Sequence, residues 1–188
     1  YQDPQTALNP YWSVGAQLGE AITIGHPDLG FTESQLKERC LEWLDRVQIN
    51  FRERVLETHP HELSGGMCQR IMIAIALASR PDLVIADEPT TGLDVTIQAR
   101  IVDLFRDLRE ELDLTVLLVS HDMGLIGQLS NRVAVMYCGR IVECGSRDEV
   151  LGDHSNRHPY TEALMSSMPS GSTMKRGDRL PMIVDSVP

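Results

Sequence analysis

Two adjacent carboxylates, Asp87 and Glu88, are the residues of this chain most suggestive of chemistry. They follow the apolar run from Leu83 to Ala86, and Pro89 comes directly after them. Because charge is costly to bury without a partner, carboxylates at the end of an apolar strand need a metal ion, a cation or an exposed cleft. Acidic strand ends also occur at ordinary polar turns, so this stretch alone leaves both interpretations open.

A second polar strand end lies further along the chain. Residues 115–119 form another apolar run, and Ser120, His121 and Asp122 follow it. An amphipathic helix with apolar residues from Ile97 to Leu108 separates the two runs. Two apolar strands joined by a helix predict a parallel sheet covered on both faces, with both polar ends at the same carboxyl edge.

A third candidate is the start of a helix. Ser64, Gly65 and Gly66 precede a segment from 67 to 79 that is apolar on nearly every face, which predicts a buried helix with Ser64 as its N-cap. Each glycine costs about 1 kcal/mol of helix stability relative to alanine, but it lets another group approach the backbone closely. Such an N-terminus favours an anion, and a plain cap with a loose turn is the alternative interpretation.

Local patterns predict the elements that position these residues. Thr32 with Gln35 fits a capping box, and apolar residues at helical spacing then continue to Val47, which predicts an amphipathic helix. The other expectations, in chain order, are a loop at 1–10, a helix at 14–22, mixed polarity without a helix at 49–62, a hairpin of 132–137 with 141–144, a short helix at 146–152 and a last helix at 160–168.

Bulk composition limits the function classes. The 188 residues, of which 42% are hydrophobic, suffice for one domain of ordinary size. The formal net charge of -10, without a basic block, argues against a dedicated nucleic-acid surface, so no nucleic-acid partner is expected. The four cysteines contain no CxxC pair, which indicates reduced thiols in a cytoplasmic protein.

Four segments together resemble the motifs of ABC-type ATPases. Residues 63–70 (LSGGMCQR) resemble the signature motif, and residues 83–94 (LVIADEPTTGLD) resemble the Walker B strand with its catalytic glutamate and D-loop. His121 resembles the switch histidine, and Gln2 resembles the glutamine of the Q-loop. The resemblance covers about residues 1–168 and is nearest to the oligopeptide and dipeptide importer subfamily, through the texts ADEPTTGLDVTIQA, MYCGRIVE and RHPYTEAL.

The resemblance implies an α/β fold, namely a partial P-loop NTPase-type (ABC ATPase) nucleotide-binding domain with a mainly parallel sheet and a helical subdomain. Residues 1–168 would form this partial domain, with 11–80 as helical subdomain and signature helix and 81–168 as the α/β part. Residues 169–188 would be a tail or the start of a truncated extension. The chain contains no G-x-x-x-x-G-K-[ST] phosphate loop, so we expect a truncated domain that is inactive alone.

The same resemblance implies roles at the nucleotide. Asp87 would bind Mg²⁺ through water, and Gln2 would reach the Mg²⁺ or the attacking water. Glu88 would orient and polarise that water as general base. His121 would hydrogen-bond the γ-phosphate of ATP and fix the geometry of the water.

Other motif residues would act across a dimer. Ser64, Gly65 and Gly66 would grip the γ-phosphate of an ATP molecule held by the opposite protomer, and Gln69 belongs to the same cofactor-binding motif. Asp94 would lie at the dimer seam and link the two sites.

The implied function is that of the ATP-binding and ATP-hydrolysing subunit of an ABC importer for peptides or similar small solutes. Its partners would be a second ABC ATPase subunit, identical or different, transmembrane permease subunits and, indirectly, a solute-binding protein. It would sit at the cytoplasmic face of the inner membrane as a peripheral subunit. Two alternatives remain: a soluble ABC ATPase not coupled to transport, and a non-catalytic fragment or interaction module, which the missing phosphate loop favours.

Overall fold

The computed structural model describes residues 3–152 and 157–166, which divide into two compact units. The first unit ends at Val119 and the second begins at Ser120. The predicted boundary between 11–80 and 81–168 differs from the boundary between these two compact units, and it stays a prediction. The first unit contains, in chain order, α1 (Pro4–Ala7), α2 (Val14–Gly25), α3 (Glu33–Arg46), α4 (Arg52–Glu57), a 3-10 turn (Pro60–Glu62), α5 (Gly65–Ala78), β1 (Leu83–Asp87), α6 (Val95–Glu111) and β2 (Thr115–Val119).

The predicted helix after Thr32 is confirmed as α3. The Thr32 N–H donates to Gln35 Oε1 at 2.9 Å, and the Gln35 N–H donates back to Thr32 Oγ1 at 3.3 Å, so the capping box is complete. The apolar face of α3 buries Cys40 and Leu44. It contacts α2, α4 and α5, and together these helices enclose a core. The most deeply buried side chains of that core include Leu18, Ile22, Leu44, Val47 and Ile71.

Two short helices correct the predictions for irregular chain. The loop predicted at 1–10 is wrong over Pro4–Ala7, because Pro4 is tolerated in a first helical turn and the Ala7 N–H donates to the Asp3 carbonyl at 3.1 Å. The expectation of no helix at 49–62 is wrong at α4. That helix ends before Pro60, whose ring opposes only a helix that continues through it.

Strands β1 and β2 pair in parallel, as predicted. Asp87 lies opposite Val119, so both strands end at the same edge of the sheet. The expectation that both faces are covered is wrong. Among the described residues the sheet has only these two strands, and one face is open: Leu83, Ile85, Leu117 and Val119 are 50%, 61%, 51% and 47% exposed.

The second unit is built around the predicted hairpin. Strands β3 (Arg132–Tyr137) and β4 (Arg140–Ser146) are antiparallel. The residues between them, Cys138 and Gly139, have φ values of +48° and +74°, and a two-residue turn with positive φ at both positions matches the twist of the strands. The helices of this unit are α7 (Met123–Leu129), α8 (Arg147–Leu151) and α9 (Pro159–Ser166).

Helices α8 and α9 confirm the two predicted helices at the C-terminal side. Ser146 caps α8 by accepting from the Glu149 N–H, and Glu149 returns the bond. The α9 segment contacts the hairpin through the rings of Tyr137 and Tyr160, whose centroids lie 4.5 Å apart. Residues 167 and 168, the predicted end of the last helix, lie outside the described residues.

Within residues 3–152 and 157–166, no helix has both the length and the apolar character needed to cross a membrane. All four cysteines are free thiols: Cys40 and Cys68 are buried, and Cys138 and Cys144 are exposed. Burial raises the pKa of Cys40 to about 11 and also raises the pKa of Cys68. The two pairs therefore differ in access, and the raised pKa of Cys40 and of Cys68 further lowers the reactivity of these buried thiols.

We predict that a thiol reagent at pH 8 modifies two cysteines of the folded chain rapidly and the other two only after denaturation. Cys40 and Cys68 are shielded, and a raised pKa keeps the thiol protonated until the pH rises toward that pKa. Mass spectrometry of time points measures the labelling. A double Cys138→Ser, Cys144→Ser chain serves as control and should lose the whole rapid phase; rapid labelling of that chain would contradict the prediction.

Candidate functional site

Asp87 and Glu88 lie at the carboxyl edge of the two-stranded sheet. Asp87 is the last residue of β1 and is exposed, whereas Glu88 is half-buried. The Glu88 N–H donates to the Val119 carbonyl at 2.9 Å, so the alignment with β2 extends one residue beyond the strand. The two carboxylates thus begin their turn from a fixed position on the sheet.

The backbone of Glu88 is left-handed. Its φ is +48°, a conformation that costs a residue with a side chain about 1–2 kcal/mol. Thr91 makes two hydrogen bonds to Glu88, one to its backbone and one to its side chain. The Thr91 N–H donates to the Glu88 carbonyl at 3.1 Å, and Thr91 Oγ1 donates to Glu88 Oε2 at 3.0 Å. Backbone and carboxylate of Glu88 are therefore both tied to the following turn, which limits the directions in which the carboxylate can point.

The turn leads directly into α6. Thr90 is buried, and its carbonyl accepts from the Leu93 N–H at 3.3 Å. Asp94 caps the helix, because its Oδ1 accepts from the Ile97 N–H at 2.9 Å. The cap gives Asp94 a structural role, and its predicted place at a dimer seam stays a prediction.

The predicted helix after Ser64 is confirmed as α5. Ser64 Oγ accepts from the Met67 N–H at 3.4 Å, as expected of an N-cap. The two glycines of the first turn differ: a Cβ built on Gly66 would lie 2.9 Å from Ile97 Cγ2, whereas one on Gly65 would come no closer than 4.0 Å to Leu93. Gly66 is therefore required by the close approach of α5 to the start of α6, and Gly65 is not.

Gln69 is buried, with only 2% of its surface exposed. Its Nε2 donates to the carbonyl of Pro89 at 2.7 Å, so the side chain spans from α5 to the turn that carries Glu88. The sequence places Gln69 in a cofactor-binding motif, and that role stays a prediction. The contact with Pro89 was not predicted, although a single amide among apolar residues of a buried helix signals that a polar partner is needed.

An open groove in the first unit joins these residues. Asp87, Pro89 and Gln69 line it together with Asp3 and Thr6 of the N-terminal segment. Gln2, the predicted Q-loop glutamine, lies outside the described residues. Its neighbour Asp3 lines the same groove as Asp87, and this supports the prediction for Gln2 without testing it.

His121 belongs to the second unit and is exposed. It lies between Ser120, whose Oγ accepts from the Asp122 N–H at 3.0 Å, and Asp122, which caps α7. Asp122 Oδ1 accepts from the N–H groups of Gly124 and Leu125 at 2.8 and 3.1 Å. These bonds fix the backbone on both sides of His121, two residues beyond the end of β2.

The carboxylates suit Mg²⁺ that arrives with a nucleotide. Within the described ranges, no group of three or more His, Cys, Asp and Glu side chains is placed to hold a metal ion. Mg²⁺ commonly takes one or two carboxylates and completes its shell with water and substrate phosphates. Asp87 is exposed and offers hard oxygen donors, so its chemistry fits such a shared site.

The amino-acid sequence is similar to those of known ABC transporter proteins. Residues 3–91 match the ABC transporter family. All 188 residues align at 45% identity with a peptide import ATP-binding protein of Brucella abortus (strain 2308), and cover 54% of its length. The chain is therefore similar to proteins of the ABC transporter family, as its motifs indicated.

The relatives include proteins of peptide import. The oligopeptide transport ATP-binding protein OppD of Bacillus subtilis (strain 168) is 47% identical over 170 residues, which are 90% of this chain and 46% of OppD. The chain thus spans about half the length of these two relatives. Among solved structures, the dimeric post-hydrolysis state of the ATP-binding cassette MJ0796 bound to ADP and Pi is similar, with a TM-score of 0.65 and 29% identity over 76% of this chain and 60% of that chain.

We predict that Gly66→Ala lowers the free energy of unfolding by about 1–3 kcal/mol, because the added methyl group overlaps the branched side chain of Ile97. Gly65→Ala is the matched control. It adds the same methyl group without overlap, 4.0 Å from Leu93 Cδ2, and should leave stability unchanged or raise it by up to about 1 kcal/mol through helix propensity. Urea unfolding followed by circular dichroism measures both, and equal effects of the two substitutions would contradict the close approach at Gly66.

Proposed function

We propose that this chain provides the hydrolytic centre of an ATP-binding subunit in an ABC importer for peptides or similar small solutes. One observation carries the proposal: β1 ends in Asp87 and Glu88 at the edge shared with β2, and a strained turn ties the Glu88 carboxylate in place. The similarity to peptide import and oligopeptide transport proteins supports the solute class.

Glu88 is the general base of the proposed reaction. Its carboxylate accepts a proton from the attacking water while the water adds to the γ-phosphorus of ATP and the bond to the β-phosphate oxygen breaks. The hydrogen bond from Thr91 Oγ1 to Glu88 Oε2 restrains the carboxylate that would take the proton. His121 donates a hydrogen bond to the γ-phosphate and so keeps the phosphate in line with the water.

Asp87 and Gln2 are the proposed residues toward the metal ion. Mg²⁺, when bound with ATP, neutralises charge on the β- and γ-phosphates. Asp87 would hold the ion through water with its exposed carboxylate, and Gln2 would offer an amide oxygen to the ion or the attacking water. The position of Asp3 in the groove of Asp87 supports this pairing.

Ser64, Gly65 and Gly66 act on the ATP of a second protomer. The first N–H groups of a helix have no partner within the helix and attract anions, and Gly65 leaves space for a phosphate to approach. Gln69 follows one turn later in the same motif. Asp94 lies at the seam between the protomers, and the dimeric solved relative bound to ADP and Pi supports a dimer.

The subunit works with further proteins. Transmembrane permease subunits take up the movement that ATP binding and hydrolysis produce, and a solute-binding protein delivers the peptide to them. The subunit is peripheral, at the cytoplasmic face of the membrane. The names of the relatives support import over a soluble ABC ATPase that is not coupled to transport.

The proposal predicts that Glu88→Gln, in the protein as the cell makes it and together with its permease subunits, lowers ATP hydrolysis at least about 100-fold and leaves ATP binding intact. An amide cannot take the proton from water, but it preserves the shape of the turn. Phosphate release measures hydrolysis, and size-exclusion chromatography with ATP should show an accumulated dimer.

Glu20→Gln is the control for this experiment. Glu20 is exposed on α2, outside the turn at Glu88, and its substitution by glutamine removes the same charge. It should keep wild-type hydrolysis. Unchanged hydrolysis in Glu88→Gln would show that Glu88 is not the general base. If neither variant lowers peptide uptake, the proposal of a peptide importer is wrong.

A further inference from the structure

We infer that Gln69 is a positioning residue for hydrolysis, because it fixes the turn that carries Glu88 to the helix that begins with the signature glycines. The inference rests on the proposed function, in which Glu88 is the base. It differs from the sequence-based expectation for Gln69, which was contact with the nucleotide. Gln69 instead acts through the Pro89 carbonyl, in the turn that follows Glu88.

The contact is short, buried and placed next to the base. Gln69 Nε2 donates to the Pro89 carbonyl at 2.7 Å, and the side chain is 2% exposed. Pro89 directly follows Glu88, whose left-handed φ of +48° must be imposed by its surroundings. A bond to the Pro89 carbonyl restrains the peptide between Pro89 and Thr90, one residue beyond Glu88. Holding this part of the turn in place helps to set the direction of the Glu88 side chain.

The anchor for this bond is rigid. Gln69 lies on α5 between the fully buried residues Cys68 and Ile71, so its own backbone is held by the core. The same helix meets the far side of the turn where Gly66 lies against Ile97 of α6. Helix α5 thus contacts the turn after β1 at Pro89 and the first turn of α6 at Ile97.

This arrangement links two proposed activities of one protomer. The first turn of α5 would contact the ATP of the partner protomer, while Glu88 would act on the protomer's own ATP. The Gln69 side chain makes a buried hydrogen bond that connects α5 with the turn carrying Glu88. Removal of this bond should therefore disturb the alignment of the base, which affects turnover, and should leave the binding of ATP nearly unchanged.

The test is Gln69→Met in the protein as the cell makes it, assayed for ATP hydrolysis with its permease subunits. Methionine keeps the length of the side chain but cannot donate to the Pro89 carbonyl. We expect kcat to fall about tenfold, which corresponds to about 1.4 kcal/mol, and KM for ATP to change less than twofold. A kcat within twofold of wild type would overturn the inference, and so would a tenfold rise in KM with kcat unchanged, since that would assign Gln69 to nucleotide contact.

Two further variants separate positioning from general damage. Leu44→Ala empties part of the core at α3, away from Gln69, and should lower thermal stability while keeping kcat per folded molecule. Gln69→Glu should regain activity relative to wild type as the pH falls from 8 to 6, because burial raises the pKa of a carboxyl group and the protonated form can donate to Pro89. A flat relative pH profile, or equal loss of kcat in Leu44→Ala, counts against positioning.

The Glu88→Gln variant distinguishes failure of the proposed role of Glu88 from failure of the inferred role of Gln69. If it retains wild-type hydrolysis, the proposed function of Glu88 fails whatever Gln69 does. If it abolishes hydrolysis while Gln69→Met behaves as wild type, the role of Gln69 fails alone.

Discussion

The site depends on how a strained residue is held at the end of a strand. Glu88 adopts a left-handed backbone that an isolated glutamate would avoid, and three neighbours maintain it. The Val119 carbonyl binds its N–H, Thr91 binds its carbonyl and its carboxylate, and Gln69 binds the carbonyl of the next residue. The three neighbours lie in different elements, so the direction of the carboxylate depends on sheet, turn and helix together.

The glycines of α5 show that one motif meets two physical demands. Gly66 is needed because α5 and α6 approach so closely that a methyl group would overlap Ile97. A Cβ on Gly65 would make only an ordinary contact, 4.0 Å from Leu93 Cδ2, so no overlap within this unit requires glycine there. The proposed phosphate of a second protomer would give Gly65 a reason of its own, namely room for that phosphate. In that proposal, Gly66 serves folding and Gly65 serves recognition.

The sequence predicted the elements that local chemistry determines, such as the capping box at Thr32, the N-cap at Ser64 and the hairpin around Gly139. It failed where the outcome depends on distant neighbours. The apolar strands predicted a sheet covered on both faces, but apolar composition cannot show how many strands lie beside them, and one face is open. The left-handed Glu88 and its bonds were also beyond prediction, because they arise from the meeting of β1, β2 and α5.

Gln69 shows what a buried polar group can reveal about coupling. A buried amide without a partner would be costly, so the bond to Pro89 keeps α5 and the Glu88 turn together. Because Gln69 lies about one turn after the Ser64 cap, its bond to Pro89 would transmit movement of the first turn of α5 to the Glu88 turn over a short path. A ligand that orders this first turn would also order the base of the same protomer. In the proposed dimer, such a path would make each base sensitive to the nucleotide bound by the partner.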